Sequence, residues 1–310
     1  MDRVAGGLLG VHAGDALGAT VEFSDWAAVR LAYPGGVTEI VGGGPFGWSP
    51  GHATDDTDLT RAVLLAYLAP GPDVVRTAAD HMLAWLRGDW PDRSAGSGPV
   101  DIGGATARGL AAYQRTGDPR RAGAGIGNAG NGSLMRCLPT ALAVADPPRR
   151  VRESMEISAI THDDPRCTVA CAAYNEIAAA LLGGVPPDAA VREGERTAAD
   201  LGSADVAEAV GYGRQLDLKR AAATGDTGRV GGAGFVLDSL SLAVAAVLDP
   251  RPLPEVLVDV VRLGMDADTN AAIAGGLLGV RDGVAAIPSR WVARLQFAGE
   301  FTAAAARLAG

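Results

Sequence analysis

The feature that most constrains the fold of this chain is the repetition of small apolar residues at helical spacing. Glycine accounts for 43 of the 310 residues, and apolar residues make up 48% of the chain while aromatic ones make up only 5%. A core of Ala, Leu and Val with few rings favours helices whose backbones approach closely. The apolar positions follow the helical period in the segments Val4–Leu17, Asp58–Leu68, Val74–Leu86, Ala105–Arg115, Met135–Ala145, Arg149–Ile160, Cys167–Leu182, Ser203–Leu216, Phe235–Leu248, Pro254–Gly264 and Thr269–Val280.

Strand patterns are scarce, and Val37–Val41 is predicted to be either one short strand or an extended loop. No composition shift or long polar linker divides the chain, so we predict one all-α domain over residues 1–310. The letters GGLLGV occur at 6–11 and again at 275–280, which we interpret as two Gly-rich helices that pack closely. The stretch 219–234 is expected to be an exposed loop or a flap over a cleft.

Charge and cysteine content exclude several classes of function. The chain has 36 acidic and 27 basic side chains, and no stripe of Lys and Arg offers a footprint for nucleic acid in general. Its three cysteines are an odd number without a framework spacing, which predicts a reduced, cytoplasmic setting. No uncharged apolar stretch reaches the length of a membrane span, so we expect no membrane partner. We also expect the protein to be a monomer.

The first cluster of chemically informative residues is TDDTD at 54–58, directly before an apolar helix. A helix N-cap explains one or two such residues, because they accept free N–H groups and favour the helix dipole. Three aspartates within four positions exceed that need and repel one another. Hard cations explain them better, since Mg²⁺, Mn²⁺ and Ca²⁺ bind carboxylate and hydroxyl oxygens.

A second cluster, DADTN at 266–270, repeats this chemistry before the Gly- and Ala-rich segment AAIAGGLLGV. Asp55 and Asp56 together with Asp266 and Asp268 supply four negative charges, which balance two divalent cations. Two neighbouring cations can hold vicinal sugar hydroxyls or position a nucleophilic water. The two clusters therefore predict a binuclear metal site.

Two further segments are typical of ligand binding. The loop NAGNGS at 128–133 is followed by LMR, and a Gly-rich loop that enters a helix presents free N–H groups to an anion such as a diphosphate. In THDDP at 161–165, an Asp and Pro165 suit a helix start, while His162 is a candidate for a hydrogen bond to a ligand hydroxyl.

Two acidic residues are candidates for the catalytic carboxyl. Glu22 follows the apolar Gly-rich segment that contains Asp15, and Asp15 is costly to bury there unless it is hydrogen-bonded. Asp101 follows a flexible loop. Near cations, either Glu22 or Asp101 can activate water or hold the bond that is broken, and the sequence does not rank them.

Taken together, these segments resemble the ADP-ribosylglycohydrolase family. The resemblance runs in order from about residue 4 to residue 280. It rests on GLLGVHAGDALGATVEF, TDDTDLT, VDIGGATARGL, NAGNGSLMR, THDDP, GFVLDSL and MDADTNAAIAGGLLG.

The resemblance implies an orthogonal all-α fold, compact and in one domain, with a central cleft that holds two divalent cations, Mg²⁺ or Mn²⁺. It implies an acidic catalytic residue at Glu22 or Asp101. The metal ligands implied by the resemblance are Thr54, Asp55, Asp56, Asp266, Asp268 and Thr269. The implied contacts to ribose and diphosphate are Gly127, Asn128, Gly130, Asn131, Gly132, Ser133, His162 and Phe235. Phe235 stands where tyrosine is frequent in the family, and Asn270 is a second departure from some relatives.

The activity implied is hydrolysis of the bond between ADP-ribose and an acceptor, with ADP-ribosyl-arginine in protein as the first choice. Other acceptors are alternatives: an O-linked serine or ester, a nucleobase or a small molecule. A phosphoester hydrolase is a rival function, since paired aspartate clusters also suit phosphoryl chemistry. A non-catalytic ADP-ribose-binding protein is another.

Overall fold

Acidic and hydroxyl side chains mark many of the helix starts. Thr54, Asp73, Asp146, Asp164 and Asp217 each accept a backbone N–H from the first turn that follows. The structure is a computed structural model that describes residues 1–69, 71, 73–231 and 233–309. Its helices are α1 Asp2–Gly18, α2 Trp26–Ala32, α3 Asp55–Leu68, α4 Val74–Leu86, α5 Gly104–Thr116, α6 Leu138–Ala143, α7 Pro147–Ala159, α8 Pro165–Leu182, α9 Pro187–Asp200, α10 Ala204–Gly213, α11 Leu218–Thr224, α12 Val236–Leu248, α13 Leu253–Arg262, α14 Ala267–Asp282, α15 Ser289–Val292 and α16 Ala298–Ala309, with 3₁₀ turns at Pro119–Arg121 and Val284–Ala286.

The all-α prediction is confirmed, and the described residues form no β-sheet. Their only strand-like pairs are two isolated bridges, Gly43 with Trp48 and Gly130 with Phe235. Val37–Val41 is therefore the extended loop of the two alternatives.

The sequence patterns missed α2, α9, α11, α15 and α16. One of these helices, α11, lies where a loop was expected. At the start of α9, Pro187 occupies the first turn, where its missing N–H costs nothing. The prediction of a loop over 219–234 is wrong for its first part, because Asp217 caps α11 and Gly225 ends it in the left-handed conformation. The remainder is irregular, and Gly232 lies outside the described residues.

The two Gly-rich helices α1 and α14 pack antiparallel with their backbones in contact, as predicted. A Cβ added at Gly6 would lie 2.2 Å from the carbonyl oxygen of Gly279, and one added at Gly10 would lie 2.2 Å from that of Gly275. At the other end of α1, a Cβ on Gly18 would lie 2.4 Å from the carbonyl oxygen of Ala267. This contact places the C-terminal half of α1 beside the N-terminus of α14, where the second acidic cluster begins.

Around this pair, α8 and α12 supply long runs of buried small and branched side chains. The ring of Phe301 in α16 is fully buried against α1, where it contacts the imidazole of His12. All three cysteines are buried as free thiols. Among the described residues, no helix is both long enough and apolar enough to cross a membrane.

Candidate metal and substrate site

Asp15, on α1, holds the start of α3 in place. Its Oδ2 accepts the backbone N–H of Thr54 at 3.1 Å and that of Thr57 at 3.3 Å, and it also accepts the Thr57 hydroxyl. The side chain is fully buried. The hydrogen bonds that its burial requires are thus present, and they orient the segment 54–57 toward α14.

The two acidic clusters, more than two hundred residues apart, meet at Asp56. Its Oδ2 accepts the hydroxyl of Thr54 at 3.3 Å and the hydroxyl of Thr269 at 3.1 Å. Carboxylate oxygens of Asp15, Asp56 and Asp268 lie within 4.8 Å of one another. The structure therefore brings both predicted clusters to one point, at the end of the α1–α14 contact.

A second acidic group shares Asp268 with the first. One carboxylate oxygen from each of Glu22, Asp101 and Asp268 lies within 4.8 Å of the others. Both candidate catalytic carboxyls thus face the same carboxylate from one side of the cluster. Their positions differ in burial, because Glu22 is buried and Asp101 is only half-buried.

Several oxygens in these groups are buried without a hydrogen-bond partner among the described residues. They are Oδ1 of Asp15, Oδ1 of Asp56, Oδ1 of Asp268 and Oε2 of Glu22. A buried carboxylate oxygen without a donor is costly unless a cation or a proton compensates for it. Oxygens of this kind are the ligands that hard divalent cations take, so the residues fit such ions.

Burial raises the pKa of every carboxyl in the cluster. Repulsion between like charges adds to this for all of them except Asp266, whose pKa is held down by hydrogen bonds from Asn131 and Thr269. Loss of hydration raises the pKa of Asp15 to about 7 and that of Glu22 to about 8, in the second case with repulsion from Asp101. Burial raises the pKa values of Asp56 and Asp268 well above the ordinary range. The cluster therefore holds protons at neutral pH unless positive charge is supplied.

A cavity of about 400 Å³ opens onto the cluster. Its walls include acidic groups, hydroxyl groups, part of the Gly-rich loop and an imidazole, together with the exposed apolar side chains of Phe23 and Met265. The predicted site residues that line it are Glu22, Asp55, Asp101, Asp266, Asp268, Thr269, Gly130, Asn131, Gly132 and His162. Thr54 and Asp56 lie behind this wall, buried.

The Gly-rich loop is braced by its own surroundings. The N–H of Gly127 donates to Oδ2 of Asp164 at 2.8 Å, and the amide of Asn128 donates to the carbonyl of Ala124 at 2.9 Å. Ser133 is buried and accepts the hydroxyl of Ser158 at 2.9 Å. These three loop positions are not in the cavity wall, whereas Gly130, Asn131 and Gly132 are.

Asn131 connects the loop to the second acidic cluster. Its amide donates to Oδ2 of Asp266 at 2.6 Å and to the hydroxyl of Ser239 at 3.0 Å. That hydroxyl in turn donates to Oδ1 of Asn270 at 2.7 Å. Asn131 thus orients a predicted metal ligand and gives Asn270 a place in the same network.

His162 presents one edge of its ring to the cavity. Its Nδ1 lies 2.8 Å from the hydroxyl of Thr161, and a Cβ added at Gly132 would lie 3.2 Å from its Nε2. Loss of hydration, reinforced by the charge of Arg136, lowers the pKa of His162 to about 3. The imidazole is therefore neutral at physiological pH.

Phe235 lies away from the cavity wall. Its backbone pairs with Gly130, and its ring lies against the guanidinium of Arg166, 5.7 Å from the ring centre. Phe235 therefore supports the loop through its backbone contact with Gly130, while its ring contacts Arg166.

The structure also shows the surroundings of two residues whose roles the sequence does not indicate, Asp58 and Arg136. Asp58, the third aspartate of TDDTD, accepts the indole N–H of Trp85 at 2.8 Å and that of Trp90 at 2.7 Å, so it points away from the cluster. Arg136, which ends the NAGNGSLMR motif, is a further residue of this region whose role the sequence pattern does not indicate. Its fully buried guanidinium lies directly behind the loop.

Comparison with known proteins agrees with this geometry. The profile of the ADP-ribosylglycohydrolase family matches residues 1–310. The chain is 31% identical to the ADP-ribosyl-[dinitrogen reductase] glycohydrolase of Rhodospirillum rubrum, over 95% of this chain and 90% of that protein. It is 28% identical to the ADP-ribosylarginine hydrolase Tri1 of Pseudomonas putida, over 95% and 74% of the respective chains.

A solved structure described as an ADP-ribosylglycohydrolase-related protein complex superimposes with a TM-score of 0.80 at 30% identity, covering 99% of this chain and 96% of that one. The match in sequence extends over the whole chain, and the match in fold covers nearly all of it. Together with the acidic cavity, these similarities show that the chain belongs to the ADP-ribosylglycohydrolase family of hydrolases.

Proposed function

We propose that this enzyme hydrolyses the N-glycosidic bond between ADP-ribose and an arginine side chain of a modified protein, with two divalent cations, Mg²⁺ or Mn²⁺, as cofactors. The observation that carries the proposal is the group of buried carboxylate oxygens without partners at the floor of the cavity. One similar protein is named an ADP-ribosylarginine hydrolase, and another is named a glycohydrolase that acts on ADP-ribosyl-[dinitrogen reductase]. The cavity volume of about 400 Å³ is sufficient to take part of a dinucleotide-sized ligand.

The residues proposed to hold the cations are Thr54, Asp55, Asp56, Asp266, Asp268 and Thr269. When bound, the cations would neutralise the cluster, orient vicinal ribose hydroxyls and polarise a water molecule. Asp15 would keep Thr54 and Thr57 in place from behind, and Asn131 would keep Asp266 oriented. The loop residues Gly127, Asn128, Gly130, Asn131, Gly132 and Ser133, with His162 and Phe235, are proposed to bind or to shape the pocket for ribose and diphosphate.

Glu22 is proposed as the group that exchanges a proton with the reacting water. A carboxylate at the cavity wall can accept a proton and return it, and Oε2 of Glu22 is buried there without a partner among the described residues. Burial and repulsion raise the pKa of Glu22 to about 8 in the cluster by itself, and bound cations would lower it so that the carboxyl is ionised when the proton is taken up. In the reaction, the bond from the anomeric carbon to the guanidine nitrogen breaks with its electron pair on nitrogen. Water forms the new bond to carbon, its proton passes to the Glu22 carboxylate, and that proton then passes to the released guanidine nitrogen, which leaves as the guanidinium of arginine. Asp101 faces the same space and is the competing candidate.

The acceptor is proposed from charge as well as from the relatives. A cavity with carboxyl groups and the exposed ring of Phe23 at its mouth suits a guanidinium, which pairs with carboxylates and stacks on rings. We also propose a cytoplasmic monomer, since all three cysteines are free thiols, as expected in a reducing compartment.

The test is a panel of substrates that carry ADP-ribose on arginine, serine, a nucleobase or a small molecule, assayed with Mg²⁺, with Mn²⁺ and with a chelator. Release of ADP-ribose from the arginine substrate at the highest kcat/KM, only with cation, is the expected result. A higher kcat/KM on the serine substrate would overturn the acceptor. Release of phosphate rather than ADP-ribose would overturn the reaction.

The same assay ranks the two carboxyls. Glu22→Gln is expected to lower kcat more than Asp101→Asn does, and Glu39→Gln serves as the control. Glu39 is an exposed residue that pairs with Arg290 and lines no part of the cavity. A larger loss from Asp101→Asn would transfer the proposed role to Asp101.

A further inference from the structure

Arg136 is a fully buried guanidinium that donates hydrogen bonds from behind the Gly-rich loop. Its Nη1 donates to the carbonyl oxygen of Gly132, and its Nη2 donates to the hydroxyl oxygen of Thr161 at 2.9 Å. Nη2 also donates to the carbonyl of Ile157 at 3.2 Å. Because a guanidinium has donors and no acceptor, the hydrogen in the second contact lies between Arg136 and the oxygen of Thr161.

Because the Thr161 oxygen accepts a hydrogen bond from Arg136, its own proton is free to be donated to His162. Oγ1 of Thr161 is 2.8 Å from Nδ1 of the imidazole, and the side chain is fully buried. A hydroxyl has one proton to donate, and within the described part of the chain the only acceptor in reach of it is Nδ1. If Nδ1 carried a proton instead, the hydroxyl proton would be buried without an acceptor, at a cost in stability.

We propose that Arg136 and Thr161 are positioning residues that fix His162 in the neutral tautomer with its proton on Nε2. The imidazole then offers an N–H donor to the cavity, and it recognises a ligand oxygen that accepts a hydrogen bond. Gly130 and Gly132 leave the approach to this nitrogen open, since an added Cβ would lie 3.4 Å and 3.2 Å from Nε2 respectively. The low pKa of His162, about 3, agrees with a neutral ring.

The identity of the ligand rests on the proposed function, but the tautomer does not. Two-bond ¹H–¹⁵N correlation spectra of the full chain with ¹⁵N-labelled histidine report the protonation of each ring nitrogen directly. The chain has 4 histidines, so the His162→Gln variant identifies the signal by its loss. The expected spectrum has an unprotonated Nδ1 and a protonated Nε2 without any ligand, and a protonated Nδ1 would overturn the proposal.

Variants of Thr161 separate positioning from simple packing. Thr161→Val removes the hydroxyl at nearly constant volume, and it is expected to mix the two tautomers and to raise the Kd for ADP-ribose about tenfold. Thr161→Ser keeps the relay, that is, the hydrogen bonds that run from Arg136 through the hydroxyl of residue 161 to His162. Its Kd for ADP-ribose is expected to stay within about twofold of that of the parent protein. Thr140→Val is the matched control, since Thr140 is equally buried but accepts a hydrogen bond from Tyr67 instead.

An unchanged tautomer and Kd in Thr161→Val would overturn the relay. If that variant does not fold, as judged by its melting curve, the spectra of the parent chain and of Thr161→Ser decide the question alone. If the tautomer is as expected but ADP-ribose does not bind to the parent chain, the relay stands and the proposed substrate class fails.

Discussion

Helices α1 and α14 meet in two regions with opposite chemistry. Along Gly6 and Gly10, the two backbones touch without intervening side chains. A turn or two further along, the same helices present Asp15 and Asp268, whose Oδ1 atoms are buried without partners. The first region is a contact between two backbones, whereas the second crowds buried carboxyl groups whose oxygens lack hydrogen-bond partners among the described residues.

The comparison teaches that close backbone packing supports the unfavourable region next to it. Carboxylates crowded in a buried site repel one another and lose hydration, so they stay together only if the scaffold holds them. The Gly contacts supply that scaffold, because the two helix backbones already touch at Gly6 and Gly10 and cannot come closer there. Substitutions in the first region should therefore affect stability, and substitutions in the second should affect function.

The largest expected effect is on the helix contact. Gly10→Ala should destabilise the protein by about 3 kcal/mol, because overpacking forces backbone shifts and the new Cβ would lie 2.2 Å from the carbonyl oxygen of Gly275. The same substitution at Gly211 in α10 meets nothing within 4 Å, and it should stabilise by up to about 1 kcal/mol through helix propensity. Urea unfolding followed by circular dichroism measures both, and equal effects would contradict the interpretation.

The second effect is on activity. Asp268→Asn should lower kcat/KM by at least about 100-fold. Loss of a residue that only hydrogen-bonds to a metal ligand can already cost up to about 100-fold, and Asp268 is itself a proposed ligand. The metal-free variant should be as stable as the parent or more so, because the buried Asp268 carboxyl, whose pKa is raised well above the ordinary range, no longer has to take up a proton on folding. Activity assays and urea unfolding in chelator test the two parts. Full activity of this variant in chelator-treated buffer would remove the case for a metal.

The third effect is on the dependence of stability on pH. Burial raises the pKa of Asp15 to about 7 and of Glu22 to about 8, above their values in the unfolded chain. The folded form therefore binds more protons, and the metal-free protein should lose stability as pH rises from about 4, near the pKa of these carboxyls in the unfolded chain, to about 8, the higher of the two folded-state values. Mn²⁺ should reverse this loss, with release of protons on binding. A melting temperature that is independent of pH without metal would contradict the charge balance described above.

The smallest effect concerns a carboxylate that has its partners. Asp164 accepts hydrogen bonds from Gly127 and from the guanidinium of Arg166, which holds its pKa below the ordinary range. Asp164→Asn should cost about 1 kcal/mol at pH 7. Because the folded-state pKa is lowered, the difference from the parent should begin to shrink as pH falls below about 4 and should be lost once pH has fallen through the lowered pKa of the folded state. A loss that persists at low pH would mean that packing, not charge, is responsible.

The sequence alone predicted the helical class and the close pairing of the Gly-rich segments. These predictions succeeded because they rest on local periodicity. The unusual density of acidic residues in TDDTD and DADT also singled out two segments that the structure brings together. Short helices such as α2 and α11 escaped because their patterns extend over too few residues. The assignment of the site residues to metal, sugar and phosphate remains a set of predictions.

Tertiary structure decided which member of each motif faces the cavity. In TDDTD, three aspartates look alike as letters, yet Asp58 turns to two indoles while Asp55 lines the cavity and Asp56 meets Thr269. In NAGNGSLMR, Asn131 reaches Asp266, while Arg136 reaches backward to Thr161. These side-chain orientations depend on contact partners far along the chain. The spacing of residues in a motif does not indicate which of those distant partners a side chain will meet. Side-chain chemistry is local to the sequence, but the direction in which a side chain points is a property of packing.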